Sequence, residues 1–190
     1  SGDMRKSYST PLFVPVGDSV QMIVNGAKAC WAYDAATGAE LWHVPYETHS
    51  PSSRSVYSKE TGMVYINTGL GKAEVWAIRL EPGMKGDVTA THVAWSSPRG
   101  SPFVPSGIVV GDLLYLINDM QSILTVYEAA TGTLVYQERL GVAHERLLGP
   151  APRDAEVGVA HRRLEVARGA AASLRVEVLL RGVAAEVQRL

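Results

Sequence analysis

The residue types that could carry chemistry in this sequence are few and scattered. The five histidines are His43, His49, His92, His144 and His161, and no two stand four apart, the spacing that lets one helix face grip a metal ion. His43 and His49 flank the end of an apolar stretch, where solvation or a local hydrogen bond accounts for them. Ser101 and Ser106 could serve as nucleophiles, but no Gly-x-Ser-x-Gly elbow surrounds either, and both read as turn serines. Gly69-Leu70-Gly71-Lys72 has the composition of a phosphate loop without its spacing. A strand rather than a helix follows it, so it reads as a hairpin turn. Asp112 and Asp119 bracket an apolar run and Asp34 opens a turn, which gives each a structural task and no acid/base partner. Cys30 is the only cysteine, so neither an intramolecular disulfide nor a multi-cysteine zinc site can form. Trp31, Trp42, Trp76 and Trp95 could stack on a flat cofactor, although rings of this size on strands more often wedge sheets together. On this reading no residue is assigned as catalytic, metal-binding or cofactor-binding.

The elements that hold these residues are strands, and they repeat. Ala32-Tyr33-Asp34-Ala35-Ala36-Thr37-Gly38-Ala39-Glu40-Leu41-Trp42 aligns without gaps on Val126-Tyr127-Glu128-Ala129-Ala130-Thr131-Gly132-Thr133-Leu134-Val135-Tyr136. Thr37 and Thr131 lie 94 residues apart, twice 47, and one propeller blade takes about 40–50 residues. A degenerate copy is due midway. Val75 to Leu80 takes the place of the strand before the turn there, and His92-Val93-Ala94-Trp95 follows after an insertion from Glu81 to Thr91. Upstream of each copy runs a mostly apolar strand that closes on Asn plus Gly or Asp: Ser19–Gly26, Met63–Gly69 and Leu113–Asp119. Before each of those lies one more short stretch, at Pro11–Pro15, Ser53–Tyr57 and Pro102–Pro105.

Four short strands per unit and three units result, at about residues 10–46, 51–97 and 101–140. The expected fold is all-β, a partial β-propeller of about three four-stranded antiparallel blades. Within the repeat, Asp34 can accept backbone N–H groups at the hairpin entrance and Gly38 supplies positive φ. Glu128 replaces Asp34 only in part, because its longer side chain closes the same local bond less well, whereas Thr131 and Gly132 repeat Thr37 and Gly38. Trp42 and Trp95 stand just past their hairpins, where a large ring can pack between neighbouring sheets.

Tyr33-Asp34-x-x-Thr37-Gly38-x-Glu40-Leu41-Trp42 resembles the PQQ repeat of the quinoprotein-like, BamB-like β-propellers. Tyr127-Glu128-x-x-Thr131-Gly132 is a weaker second match with Tyr136 in place of the tryptophan, and Ser9-Thr10-Pro11 and Pro102-x-x-Pro105 are similar to the blade openings. The likeness covers about residues 8–140. It implies a ring of about eight blades around a channel, so that a three-blade chain would be a fragment with open blade edges, prone to aggregate and to fold poorly alone. It also implies a non-catalytic scaffold or binding module, part of a larger exported bacterial protein in the periplasm or cell envelope. Proteins or peptides would be its partners, taken at blade edges, loops or the channel mouth. The Glu81–Thr91 insertion is the candidate contact loop. The alternative is a fragment of a PQQ-dependent quinoprotein dehydrogenase. Those enzymes hold PQQ over calcium beside a vicinal disulfide, which Cys30 alone cannot supply, and no cofactor is expected.

Charge and length bound the rest. With 18 basic and 19 acidic residues in 190, the chain has no electrostatic footprint for nucleic acid. No apolar run approaches the roughly 18 residues a membrane-spanning helix needs. Ser1 to Lys6 has no apolar core after its basic pair and is not a signal peptide. From Gly141 the composition changes: residues 142–190 lack Trp, Tyr, Phe, Ile, Lys, Asn, Thr and Met. Either this is a helical appendage, with Leu179, Val183, Val187 and Leu190 near one face, or it is a frameshifted, non-native tail. The second reading is the one expected.

Overall fold

The computed structural model describes residues 6–140. The helical or frameshifted tail expected over 141–190 lies outside the described residues.

Three sheets follow one another along the chain, each built on a four-stranded antiparallel meander, and the first gains a fifth, parallel strand at its edge. In the first blade β1 (Leu12–Val16), β2 (Ser19–Asn25), β3 (Ala29–Asp34) and β4 (Glu40–Pro45) pair in sequence order. The second contains β5 (Val56–Ser58), β6 (Met63–Asn67), β7 (Val75–Arg79) and β9 (Val93–Ser97). Between its last two strands come β8 (Gly86–Asp87) and a short helix α1 (Thr89–His92). The third is β10 (Ile108–Val110), β11 (Leu113–Asn118), β12 (Ile123–Glu128) and β13 (Leu134–Arg139). Each blade is a meander, which the polar turns between apolar runs dictate everywhere but at the last connection of blade 2, where the longer Leu80–His92 segment makes the return. The architecture is that of a partial β-propeller.

The repeat survives at the level of register. Trp42 stands opposite Ala32, Trp95 opposite Ala77 and Tyr136 opposite Val126, and the ladder slips by one residue beside each of these pairs. An extra residue in the outer strand (Leu41, Ala94 or Val135) bends it at the same place in every blade. Blade 2 keeps this bulge although it has lost the Thr-Gly turn.

Two apolar clusters join the blades. Val14, Ile23, Ala32, Trp42 and Val44 of blade 1 meet Val64, Ile66 and Ile78 of blade 2. On the opposite face, Met63, Tyr65, Val75 and Ala77 meet Leu114, Leu116, Tyr127 and Ala129 of blade 3. Alternate residues of β6 thus serve opposite interfaces, and all five of its residues are buried. The outer blades are buried on one face. Phe13 (58% exposed) and Val20 (43%) lie on the free face of blade 1, and Ile108 (46%) and Ile117 (42%) on that of blade 3.

Two expectations need correcting. Pro102–Pro105 does not form the opening strand of blade 3, which starts at Ile108. Neither proline has an N–H to give a ladder, and the N–H groups between them bond to a side chain instead: Asp119 Oδ1 accepts Phe103 N–H at 3.0 Å and Val104 N–H at 3.4 Å. The opening strand of blade 2 is likewise confined to Val56–Ser58, at the end of the Ser53–Tyr57 stretch. The Glu81–Thr91 insertion, moreover, is not a free loop. Its β8 runs parallel to β4, with Trp42 opposite Gly86 and His43 opposite Asp87, and Met84 and Val88 are buried in the first cluster. Two apolar side chains in the insertion suffice to fold it back over the edge of blade 1.

Candidate binding surface

The twin hairpins have the same backbone. Gly38 N–H bonds Asp34 O at 2.8 Å and Asp34 N–H bonds Ala39 O at 2.8 Å; in blade 3, Gly132 N–H bonds Glu128 O and Glu128 N–H bonds Thr133 O, both at 2.9 Å. Ala35 N–H reaches back to Val20 O at 2.9 Å and Ala129 N–H to Asp112 O at 2.8 Å. Gly38 and Gly132 both sit in the left-handed region, at φ 74° and 71°. That conformation costs an L-residue with a Cβ roughly 1–2 kcal/mol, which accounts for the glycines.

Their side chains differ as the change from Asp to Glu dictates. Asp34 Oδ1 accepts Thr37 N–H and Thr37 Oγ1–H at 2.8 Å each, and Ala36 N–H at 3.1 Å. These bonds, the Thr37 hydroxyl first, hold the Asp34 carboxyl below the usual carboxylate range. Glu128 Oε2 takes the Thr131 hydroxyl at 3.2 Å.

The surroundings differ more. In blade 3 the hairpin is covered by blade 2. Ala129 O accepts Trp95 Nε1–H at 2.9 Å and Tyr65 Oη–H at 3.0 Å, and Ala129 has no exposed surface. A Cβ on Gly132 would stand 2.5 Å from Trp95 Cδ2. Trp95 also packs between Tyr65 and Tyr127, with centroids at 5.9 and 5.6 Å. In blade 1 Ala35 through Gly38 are exposed and nothing lies within 4 Å of a Cβ on Gly38. Trp42 has no equivalent hairpin to dock on, because the insertion has replaced that of blade 2. Its ring is fully buried, and its Nε1–H turns to Gln21 Oε1 within its own blade at 2.8 Å.

The other rings and the histidines make local contacts. Trp76 Nε1–H bonds Glu74 at 2.7 Å and its ring meets Tyr46 edge-on at 6.2 Å, while Trp31 packs on Gly26. His43 Nδ1 lies 3.0 Å from Glu40 Oε1, and His49 Nδ1 lies 2.9 Å from Ser50 Oγ. Among the described residues no three His, Cys, Asp or Glu side chains converge as a metal site requires. No helix among them is long and apolar enough to cross a membrane. Gly69–Lys72 is the turn between β6 and β7, and Gly69 lies against His49 O. Ser106 Oγ accepts Arg54 N–H at 2.9 Å, which stitches the openings of blades 2 and 3. Sequence reasoning missed Tyr65 and Gln21 as partners of the two tryptophans, since an apolar run does not say which of its faces meets which neighbour.

No protein-family model matches the chain, and no curated protein sequence does. Among solved structures, it is similar to BamB from Moraxella catarrhalis, with 15% identity and a TM-score of 0.48 over 76% of this chain and 39% of that one. It is also similar to the quinohemoprotein alcohol dehydrogenase ADHIIG from Pseudomonas putida HK5, with 20% identity and a TM-score of 0.51 over 82% of this chain and 24% of that one. The chain therefore spans well under half the length of either structure. Three meander blades with a shared bulge, taken with the likeness to the quinohemoprotein alcohol dehydrogenase, give the chain a partial β-propeller fold.

Proposed function

We propose that the chain is a non-catalytic β-propeller scaffold, a binding module of a larger exported protein in the bacterial cell envelope, with protein or peptide partners. The observation that carries this reading is the contrast between the twin hairpins. At the Glu128–Gly132 hairpin an indole and a phenol from the neighbouring sheet cap Ala129 O, and the indole lies against Gly132, whereas the Asp34–Gly38 hairpin has the same backbone and stands bare near exposed Val20. A preformed carbonyl acceptor next to a glycine and an apolar face is a surface suited to a sheet that presents an aromatic N–H or O–H donor. The Glu81–Thr91 insertion keeps a smaller part in this reading, through its exposed residues.

The test is a titration of the chain with a β-hairpin peptide presenting one tryptophan, followed by amide chemical shifts, alongside a titration with PQQ and calcium. A binding module shows shifts centred on residues 34–38 that vanish when the peptide tryptophan is replaced by alanine. Saturable, calcium-dependent PQQ binding would instead favour the quinoprotein dehydrogenase reading.

A further inference from the structure

The contact between blades 2 and 3 has a donor half and a receiving half. In the donor half Tyr65 and Trp95 flank Ala77 in the blade 2 ladder, so all three share a face. In the receiving half Trp95 packs on Tyr127 with centroids at 5.6 Å and lies against Gly132, while Trp95 and Tyr65 both donate to Ala129 O. Register repeats each half on a face that no other blade covers among the described residues. In blade 3, Tyr115 and Tyr136 flank Val126 as Tyr65 and Trp95 flank Ala77, and Ile108 stands opposite Tyr115 as Val56 does opposite Tyr65. Alternate residues Leu114, Leu116 and Tyr127 meet blade 2, so the Tyr115 face is the outward one, and Ile108 is exposed on it. In blade 1, Tyr33, Ala35 and Gly38 align with Tyr127, Ala129 and Gly132. Met22 stands opposite Tyr33 as Leu114 does opposite Tyr127, and exposed Phe13 opposite Met22 as Val109 does opposite Leu114.

We propose that a second copy of this chain is the partner of the bare hairpin, its blade 3 seated on blade 1 of the first as blade 2 is seated on blade 3 within one copy. The inference rests on the reading of that hairpin as a docking surface. The donor pair and the receiving triad are both present in one sequence, in the register that already forms one interface, and this favours a second copy over an unrelated sheet. In the joined pair the Tyr136 ring lies over Tyr33 and Gly38, where nothing occupies the 4 Å around a Cβ. Tyr136 Oη–H donates to Glu138 in its own strand, so this ring supplies shape, and Tyr115 Oη, in the place of Tyr65 Oη, reaches Ala35 O. A net charge of −1 sets little repulsion between copies. Each copy offers one donor face and one receiving face, so the contact runs head to tail.

Sedimentation and light scattering of the full chain test this, with one variant for each face. The parent should gain mass reversibly between micromolar and millimolar concentrations. Phe13→Glu blocks the receiving face and Ile108→Glu the donor face, since each would bury an unpaired carboxylate in an apolar contact. Each variant alone should associate at least roughly tenfold more weakly than the parent. Mixed together they should pair again, because one keeps its donor face and the other its receiving face. Val20→Glu with Ile117→Glu, at exposed positions on the same two faces, forms a second such set. A monomeric parent, or two sets of variants that both fail to pair on mixing, would overturn the proposal. A monomeric parent that still shows shifts at residues 34–38 with the tryptophan hairpin peptide loses only the second copy, whereas one that shows none loses the docking surface as well.

Discussion

The indole of Trp95 in blade 2 lies against Gly132 of blade 3, so close that a Cβ on Gly132 would fall 2.5 Å from the ring. The same indole gives its N–H to Ala129 O at 2.9 Å. One side chain thereby reads both the shape and the polarity of the next blade's hairpin.

Gly132→Ala and Gly38→Ala should consequently differ. Both force an L-residue into positive φ, costing about 1–2 kcal/mol. Gly132→Ala adds a clash with a packed ring, for about another 1–3 kcal/mol, whereas the site at Gly38 is open. Denaturant titrations of the two variants measure the gap. In a longer chain or a complex where a neighbour covers the blade 1 hairpin, the gap should close.

The parts legible in the sequence were those written in local chemistry. Thr37-Gly38 and Thr131-Gly132 announced hairpins, since positive φ and side-chain acceptors act within a few residues. The spacing of Trp42, Trp95 and Tyr136 announced the outer strands. Long-range matters were less legible. Pro102–Pro105 imitates a blade opening, yet Asp119, more than a dozen residues on, claims its N–H groups. The insertion has the Gly and Pro content of a surface loop, and burial of Met84 and Val88 depends on a strand edge 40 residues upstream.

Trp42 and Gln21 form a closed polar pair inside the first core. Trp42 has no exposed surface, Gln21 is 4% exposed, and the indole N–H meets Gln21 Oε1 at 2.8 Å. Trp42→Phe leaves that oxygen buried without its donor and should cost about 1–3 kcal/mol beyond the lost ring volume. Gln21→Leu orphans the indole in turn. The double variant should be cheaper than the sum of the two by about 1 kcal/mol or more, a coupling that a double-mutant cycle reads directly. Strict additivity would show that the bond contributes nothing to the stability of the first core.

Acid should loosen the first hairpin. The Thr37 hydroxyl, helped by the Thr37 and Ala36 N–H groups, lowers the folded pKa of Asp34 below its unfolded value. The resulting stability is present above the unfolded pKa, about 3.9, and is lost as pH falls through the folded pKa. Asp34→Asn should therefore be less stable than the parent near pH 6, and the difference should shrink as the pH falls through the folded pKa of Asp34. Asp87, lowered by the Thr89 hydroxyl, behaves in the same sense at the edge of the insertion. Thermal unfolding of parent and variant across this range checks the sign, and a difference that grows in acid would contradict it.

Cys30 offers a probe of the interface between blades 1 and 2. The thiol is fully buried among Ala32, Trp42 and Val44, and burial pushes its pKa up to about 12. Nucleophilic attack needs the thiolate, and the reagent also needs access, so the native chain should resist a thiol reagent at pH 8 almost completely. The strands around Cys30 must part before it can react. Its labelling rate in rising denaturant should then follow opening of the first core, and Trp42→Phe, which weakens that core, should raise the rate in proportion to its destabilisation. Fast labelling of the native parent would mean that the seam between blades 1 and 2 opens far more readily than its burial implies.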